Sequence, residues 1–460
     1  MSTVPAAAAV RPIPGRRSRI KIDVINQVRA LGFLDFAAYM WRTYGDLSMV
    51  ELGPRKLVFA IHPDQVRHIN VTNRQNYDKL GSYENVRKYL LGDGLLTSTG
   101  ETWRRQRKLM SPFYTPQGIE SYTQIMLEDG QKLVERWRTK ARDGEEVELS
   151  QEMMIVTASI ILRAMFTMET DEQIVALKHA VETLIGQAGQ RQYTLITLPL
   201  WVPTRRNTTY LRAREQVHSF INGIIAQRRA ADPATYPPDL LSKLLLAQDD
   251  ETGATMADHI VRDESITTFF AGHETTARTL TYAFYALAAN PEAEARLHEE
   301  LDRVLGDEPP TLEALKRLPY TLRVIKETLR LYPPAPVYTR DAVADDVIDG
   351  MRVEGGSAMM LVPYLTHRHP DFWDQPEVFD PDRWEPEQEK ARHPYAFHPF
   401  ASGQRICIGS NFSLLESHIL LAMLARDFRP RLRDGHQVRW EMRGTLNAAN
   451  GVPVTLVPRR

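Results

Sequence analysis

The chain is poor in cysteine: among 460 residues it has one, Cys407. One thiol cannot form an intramolecular disulfide, build a structural zinc site or hold an iron–sulfur cluster, so a reduced, cytoplasmic setting is expected. Charge of one sign is also lacking. With 57 Lys+Arg against 58 Asp+Glu the chain is nearly neutral, and nothing in its global charge steers it to nucleic acid or an anionic membrane. Long apolar runs are missing from the N-terminus, where MSTVPAAAAVRPIPGRRSRIK has a short alanine stretch far below the roughly 20 residues of a membrane span. No transmembrane anchor or secretory leader is therefore expected, and residues 1–25 read as a flexible arm. Internal repeats, low-complexity blocks and hinge-like linkers are absent too.

What remains is one domain, residues 26–460, mainly α with a minor β-sheet region. The stretch LSMVELGPRKLVFAI alternates apolar and polar residues around Gly53-Pro54 and predicts a β-hairpin over 47–61. Helical periodicity then dominates from about 115 to 330. It includes a run from Asp258 to Asn290, ended by Pro291 and long enough to cross a whole core. The segment LITLPLWVP, 195–203, is too short to span a bilayer and too proline-rich for a helix. It reads either as a buried connection or as a lid over an apolar pocket. After Pro333, short strands and turns return in VIDGMRVEGGSAMML and GVPVTLVP.

The lone cysteine stands in FASGQRICIG, 400–409. A single cysteine is usually a small buried hydrophobe, but these neighbours suit a bound thiolate. Gly403 and Gly409 admit close backbone approach, Arg405 adds a cation, and an apolar helix from Ser410 aims its N-terminal dipole at the sulfur. A cysteine nucleophile would need a base, and His398 and His418 form no recognisable motif for it. An axial haem ligand needs a glycine-rich turn, donors near sulfur and cations for propionates, all of which this stretch supplies.

At these residues the chain resembles the cytochrome P450 superfamily: Phe400, Gly403, Arg405, Cys407 and Gly409 match its haem-binding signature. The resemblance implies three further motifs upstream, and each is present. In AGHETT, 271–276, Gly272 weakens the helix by about 1 kcal/mol relative to alanine. The resemblance assigns Ala271 to packing over the haem, Glu274 to proton relay and Thr275 to hydrogen bonding with the bound oxygen species. In KETLRLYPP, helical spacing by itself predicts a solvated Glu327–Arg330 pair, whereas the resemblance implies a structural triad with Arg383 beneath the cysteine loop. In WRRQR, Trp103 and Arg107 share a helix face; with Arg340 and Arg405 they are the implied propionate contacts.

The resemblance thus implies a haem-thiolate monooxygenase with haem b, ligated by Cys407, that inserts one oxygen atom from dioxygen into a hydrophobic small molecule. Terpenoid, fatty acid, steroid and aromatic substrates stay open. The distal pocket is expected to include Phe269, Phe270, Ala335, Val337 and Leu446, with the region 83–91. No flavin or iron–sulfur motif is present, so electrons are expected from a separate ferredoxin or flavodoxin with its NAD(P)H-dependent reductase, docking near Arg104, Arg105 and Lys108. The protein is expected to be a monomer. Two alternatives stand beside this reading: a peroxide-using peroxygenase or rearrangement enzyme, against which the retained Glu274–Thr275 pair argues, and a haem sensor or carrier without turnover.

Overall fold

Six helices position the site: α1 (Gly100–Met110), α2 (Thr123–Arg142), α3 (Leu149–Phe166), α4 (Asp258–Ala289), α5 (Pro319–Leu331) and α6 (Ser410–Asp427). The computed structural model describes residues 10–18, 21–167, 183–184, 198–249 and 251–460. Helix α4 runs for 32 residues, about 48 Å at 1.5 Å per residue. It begins and ends within two residues of where periodicity and Pro291 put it. Its buried residues, among them Val261, Ile266, Phe269, Leu280, Phe284 and Leu287, lie around its circumference, as suits a helix threaded through a core.

Helix α3 crosses α4 closely because Gly272 lacks a side chain: a Cβ there would lie 3.2 Å from Ile161. At the same crossing Thr157 Oγ1 donates to the His273 carbonyl at 2.9 Å. By length and composition α3 could cross a membrane, with mean hydropathy 1.3, but 72% of it is buried inside the protein. Its apolarity serves the α3–α4 core. The N-terminus of α5 is closed by Glu300, whose carboxylate accepts from the backbone N–H groups of Tyr320 and Thr321, each at 2.8 Å.

A six-stranded sheet flanks the helices: β1 (Gly15–Ser18), β2 (Leu47–Leu52), β3 (Arg55–Ala60), β4 (Tyr77–Asp78), β5 (Tyr338–Ala342) and β6 (Ala358–Leu361), in spatial order β1-β2-β3-β6-β5-β4. The β2–β3 hairpin is the one expected over 47–61, with Gly53 at φ +63° in its turn. A separate hairpin, β7 (Trp440–Arg443) and β8 (Thr445–Ala448), turns at Gly444 and packs beside α4.

Two expectations change. Residues 1–25 are not simply an arm: Arg11–Pro12 pairs with 351–352, β1 pairs in parallel with β2, and Lys21–Leu31 is helical. Gly15 makes the β1 pairing possible, since a Cβ there would fall 1.9 Å from the Met49 carbonyl oxygen. Residues 1–9 and 19–20 lie outside the described residues. In 195–203, residues 195–197 likewise lie outside them, while Leu198 and Trp201 are 51% and 83% exposed. The described part of that loop is therefore not a buried connection.

Candidate active site

The cysteine loop is shaped before any ligand is considered. Gly403 has φ +68°, and a Cβ on it would meet the Asn70 carbonyl oxygen at 2.1 Å, so only glycine fits. Asn70 Nδ2 donates to Ser402 Oγ at 3.0 Å and to Tyr338 OH at 2.9 Å. Cys407 N–H donates to the Phe400 carbonyl at 2.9 Å, closing the loop on itself. Arg107 Nη1 donates to the Ile406 carbonyl at 2.8 Å. Arg107 thus grips the backbone of the loop that carries Cys407.

Cys407 keeps exposed surface, but the surrounding protein desolvates it enough to push its thiol above the ordinary range. The Gly409 N–H, Arg107 and Lys79 oppose that push and do not overcome it. A bound metal, whose own charge favours the thiolate, would offset that desolvation.

Beside the cysteine lies a cluster of cations. Lys79 is buried, its Nζ donates to the Leu96 carbonyl at 2.8 Å, and burial followed by repulsion from Arg340 and Arg405 pushes its pKa well below the usual lysine value. Arg405 donates to Asp78 at 2.5 Å and to the Ser98 carbonyl at 2.9 Å, and its guanidinium lies 3.8 Å from the centre of the Trp103 ring. Burial brings the Arg405 pKa down to about 10. Arg340 is buried on β5, donating to the Thr339 carbonyl at 2.7 Å. Three mutually repelling cations with Asp78 against them lack negative charge. Two porphyrin carboxylates would supply it, so these residues fit a haem. Sequence reasoning missed Lys79; a lysine after Tyr77-Asp78 carries no signal until its burial is known.

On α4, residues four apart share a face. Ala271 is exposed and Thr275 half-buried in the middle of a core-crossing helix, so this face borders an internal space; Phe270 and Glu274 adjoin it. Thr275 Oγ1 donates to the Ala271 carbonyl at 2.7 Å. Phe269 faces the opposite way: it is 2% exposed and stacks on His273 with ring centres 4.5 Å apart. Its expected place in the pocket is corrected, because a 200° rotation separates positions 269 and 271.

Leu446 is corrected for the same kind of reason. It is fully buried with Leu34 and Tyr282, and strand alternation sends its neighbours Thr445 and Asn447 to the opposite face, where they bond Glu274 and Arg278. Thr445 Oγ1 donates to Glu274 Oε1 at 2.7 Å, and Arg278 Nη2 lies 3.8 Å from the same oxygen. Ala335 and Val337 are half-buried in the loop before β5, and the Leu446 N–H ties that loop to the hairpin through the Pro334 carbonyl at 3.0 Å.

Glu327 and Arg330 are entirely buried, overturning the solvated pair that spacing alone predicts. Arg330 donates to Glu327 at 2.9 and 2.7 Å and to the carbonyls of His367, Pro376 and Val378. Glu327 also accepts from Trp384 Nε1 and Asp380 N–H, each at 3.0 Å, and lies 3.4 Å from Arg383 Nε. His367 extends this set, accepting from His398 N–H at 2.9 Å, two residues before Phe400. At the basic helix α1, Arg104 pairs with Glu101 and Lys108 with Glu251, so its charge is partly matched locally.

A family model described as Cytochrome P450 matches residues 25–452. Cyclooctatin synthase of Streptomyces melanosporofaciens is 35% identical over 416 residues, covering 90% of this chain and 89% of that protein. Pentalenene oxygenase of Streptomyces avermitilis is 32% identical over 397 residues, 86% of each. The crystal structure of the cytochrome P450DA haem domain superposes with a TM-score of 0.89 at 26% identity, covering 98% of both chains.

Proposed function

From the premise that the chain belongs to the cytochrome P450 family and is a monooxygenase, we propose that it oxidises a terpenoid, using haem b on Cys407 and electrons from a separate ferredoxin or flavodoxin with its reductase. When bound, the haem supplies the oxidising chemistry, with sulfur donating electron density to favour cleavage of the O–O bond. The rest falls to the chain. Cys407 ligates from the loop held by Phe400, Gly403 and Asn70; Lys79, Arg340 and Arg405 take the propionates. Glu274 and Thr275 move protons toward the space beside Ala271, and Phe270, Ala335 and Val337 supply apolar walls that orient a substrate and exclude water.

The observation that carries this reading is the accessible lone cysteine beside a buried cation cluster short of negative charge. The terpenoid class is supported by the two Streptomyces relatives, whose names concern cyclooctatin and pentalenene. The test is a spectrally monitored screen of polycyclic terpenoids, fatty acids, steroids and aromatics. It is followed by turnover with ferredoxin, reductase and NAD(P)H. Terpenoids alone are expected to shift the Soret band and to yield an oxygenated product. Product from fatty acids only would overturn the substrate class, and turnover with peroxide but not with reductase would overturn the monooxygenase route.

A further inference from the structure

Helix α4 meets the β7–β8 hairpin on three successive turns, through Glu274, Arg278 and Tyr282. Thr445 Oγ1 gives its proton to Glu274 Oε1 at 2.7 Å and itself accepts from Asn447 Nδ2 at 3.2 Å. A hydroxyl has one proton, so the Asn447 contact leaves that proton aimed at the carboxylate. Arg278 Nη2 donates to Asn447 Oδ1 while lying 3.8 Å from Glu274 Oε1. Asn447 Nδ2 also reaches the Thr445 carbonyl at 2.9 Å, and Tyr282 OH donates to the Leu446 carbonyl at 2.5 Å. The hairpin is thereby also fixed to the helix through the two residues that follow Thr445.

The opposite end of the acid–alcohol pair is also engaged. The Thr275 hydroxyl proton goes to the Ala271 carbonyl at 2.7 Å, not to Glu274. Two groups meant to exchange a proton are thus each bonded elsewhere. One donor near the pair is spare: Arg278 Nε is buried and has no hydrogen-bond partner.

We propose that Thr445 is a positioning residue which, with Asn447 and Arg278, latches Glu274 away from Thr275, and that release of this latch gates proton delivery. The idea rests on the reading of Glu274 and Thr275 as the relay. On release, Glu274 turns from Thr445, accepts a proton from solvent water and hands it to Thr275 Oγ, while Thr275 passes its own hydroxyl proton toward the space beside Ala271. No electrons are exchanged among these residues. In this proposal Thr445 acts through its bond to Glu274.

The experiment compares Thr445→Val, which keeps the shape and removes the donor, with Thr445→Ser, which keeps the hydroxyl. Two quantities are read in the haem-loaded protein. One is the infrared carboxyl band of Glu274 in the resting state, identified by its loss in Glu274→Gln. The other is the solvent isotope effect on NAD(P)H-driven turnover, together with product formed per NAD(P)H. Thr445→Val is expected to shift the band and to lower the isotope effect by about twofold, as an unlatched acid no longer limits the proton step. Thr445→Ser is expected to restore both. A band unmoved in Thr445→Val overturns the latch, as does a Thr445→Ser that behaves like the valine variant, since that marks a merely structural role. An isotope effect unchanged in Glu274→Gln overturns the relay reading instead, and a band shift persisting in Thr445→Val would separate that failure from failure of the latch contact.

Discussion

Glu327 with Arg330 on α5, and Glu274 with Arg278 on α4, are the same two residue types about one helical turn apart, yet their surroundings give them opposite characters. The α5 pair has no exposed surface and bidentate geometry, and carbonyls of 367, 376 and 378 with Trp384 and Asp380 complete its bonding. Nothing there can move without stranding a buried charge. The α4 pair keeps 14% exposure on each side chain, stands 3.8 Å apart, and is joined through Thr445 and Asn447 on a different element. A pair held that loosely can change partners. Over-determination suits a residue that shapes the cysteine loop, whereas a proton carrier needs two arrangements of similar energy.

The largest effect expected from this contrast is on folding. Arg330→Ala should destabilise the protein by about 3–5 kcal/mol, the cost of leaving Glu327 buried and unpaired. Denaturant unfolding and haem content would show it, with little haem-loaded protein recovered. Arg278→Ala should cost less than about 1 kcal/mol in the same assay. Equal losses would break the comparison.

Glu264 sharpens it as a carboxylate with no cation bound to it. It is fully buried on α4, accepts from Leu95 N–H at 3.0 Å, and burial pushes its pKa up to about 8. The folded state then holds a proton that the unfolded chain releases from about pH 4.5, so this group subtracts stability as pH rises from there through 8. Glu264→Gln should stabilise the protein by on the order of 2 kcal/mol at pH 8, the gain fading toward pH 4.5. His398 and His418 act on the other limb. Burial holds their pKa values near about 3 and about 4, so stability falls as pH drops below about 6.5, where the unfolded imidazoles take up protons that the folded ones refuse. Unfolding free energy measured from pH 4 to 9 should therefore pass through a maximum, and the alkaline limb should flatten in Glu264→Gln.

A smaller effect concerns cations without enough carboxylate. Lys79→Met should weaken haem retention about tenfold, roughly 1.4 kcal/mol for one lost charge-assisted hydrogen bond. Haem transfer to a scavenging apoprotein would measure it. The same substitution should raise the stability of the haem-free chain, because Lys79 is buried among like charges there. Smallest is Ala401→Gly. Ala401 adopts φ +58° in the cysteine loop, a conformation glycine takes freely, so the change should add about 0.5–1 kcal/mol after the entropy of the unfolded glycine is counted.

Much of this was legible from residue order. The β2–β3 hairpin, the limits of α4 and the strands after Pro333 follow from alternation, period and proline stops, which are local properties. The order of motifs carried the family. Side-chain direction was less legible: nothing local to Phe269 or Leu446 says which face meets the space beside Ala271 and which meets the core. Lys79 and Thr445 carried no sequence signal at all. Each matters through a partner far along the chain, Arg340 and Arg405 in one case and Glu274 in the other.

The amino-acid order by itself determined the helical class, the family and the one residue that could serve as a sulfur ligand, because helix period, motif order and a unique thiol are readable one residue at a time. Only the tertiary structure decided that Glu327 and Arg330 are buried and immovable, that Arg107 holds the loop, and that Glu274 is held by Thr445. Burial and hydrogen bonding between distant segments depend on which surfaces are brought together in space, and a desolvated charge is stabilised or stranded by neighbours that the linear sequence does not place beside it.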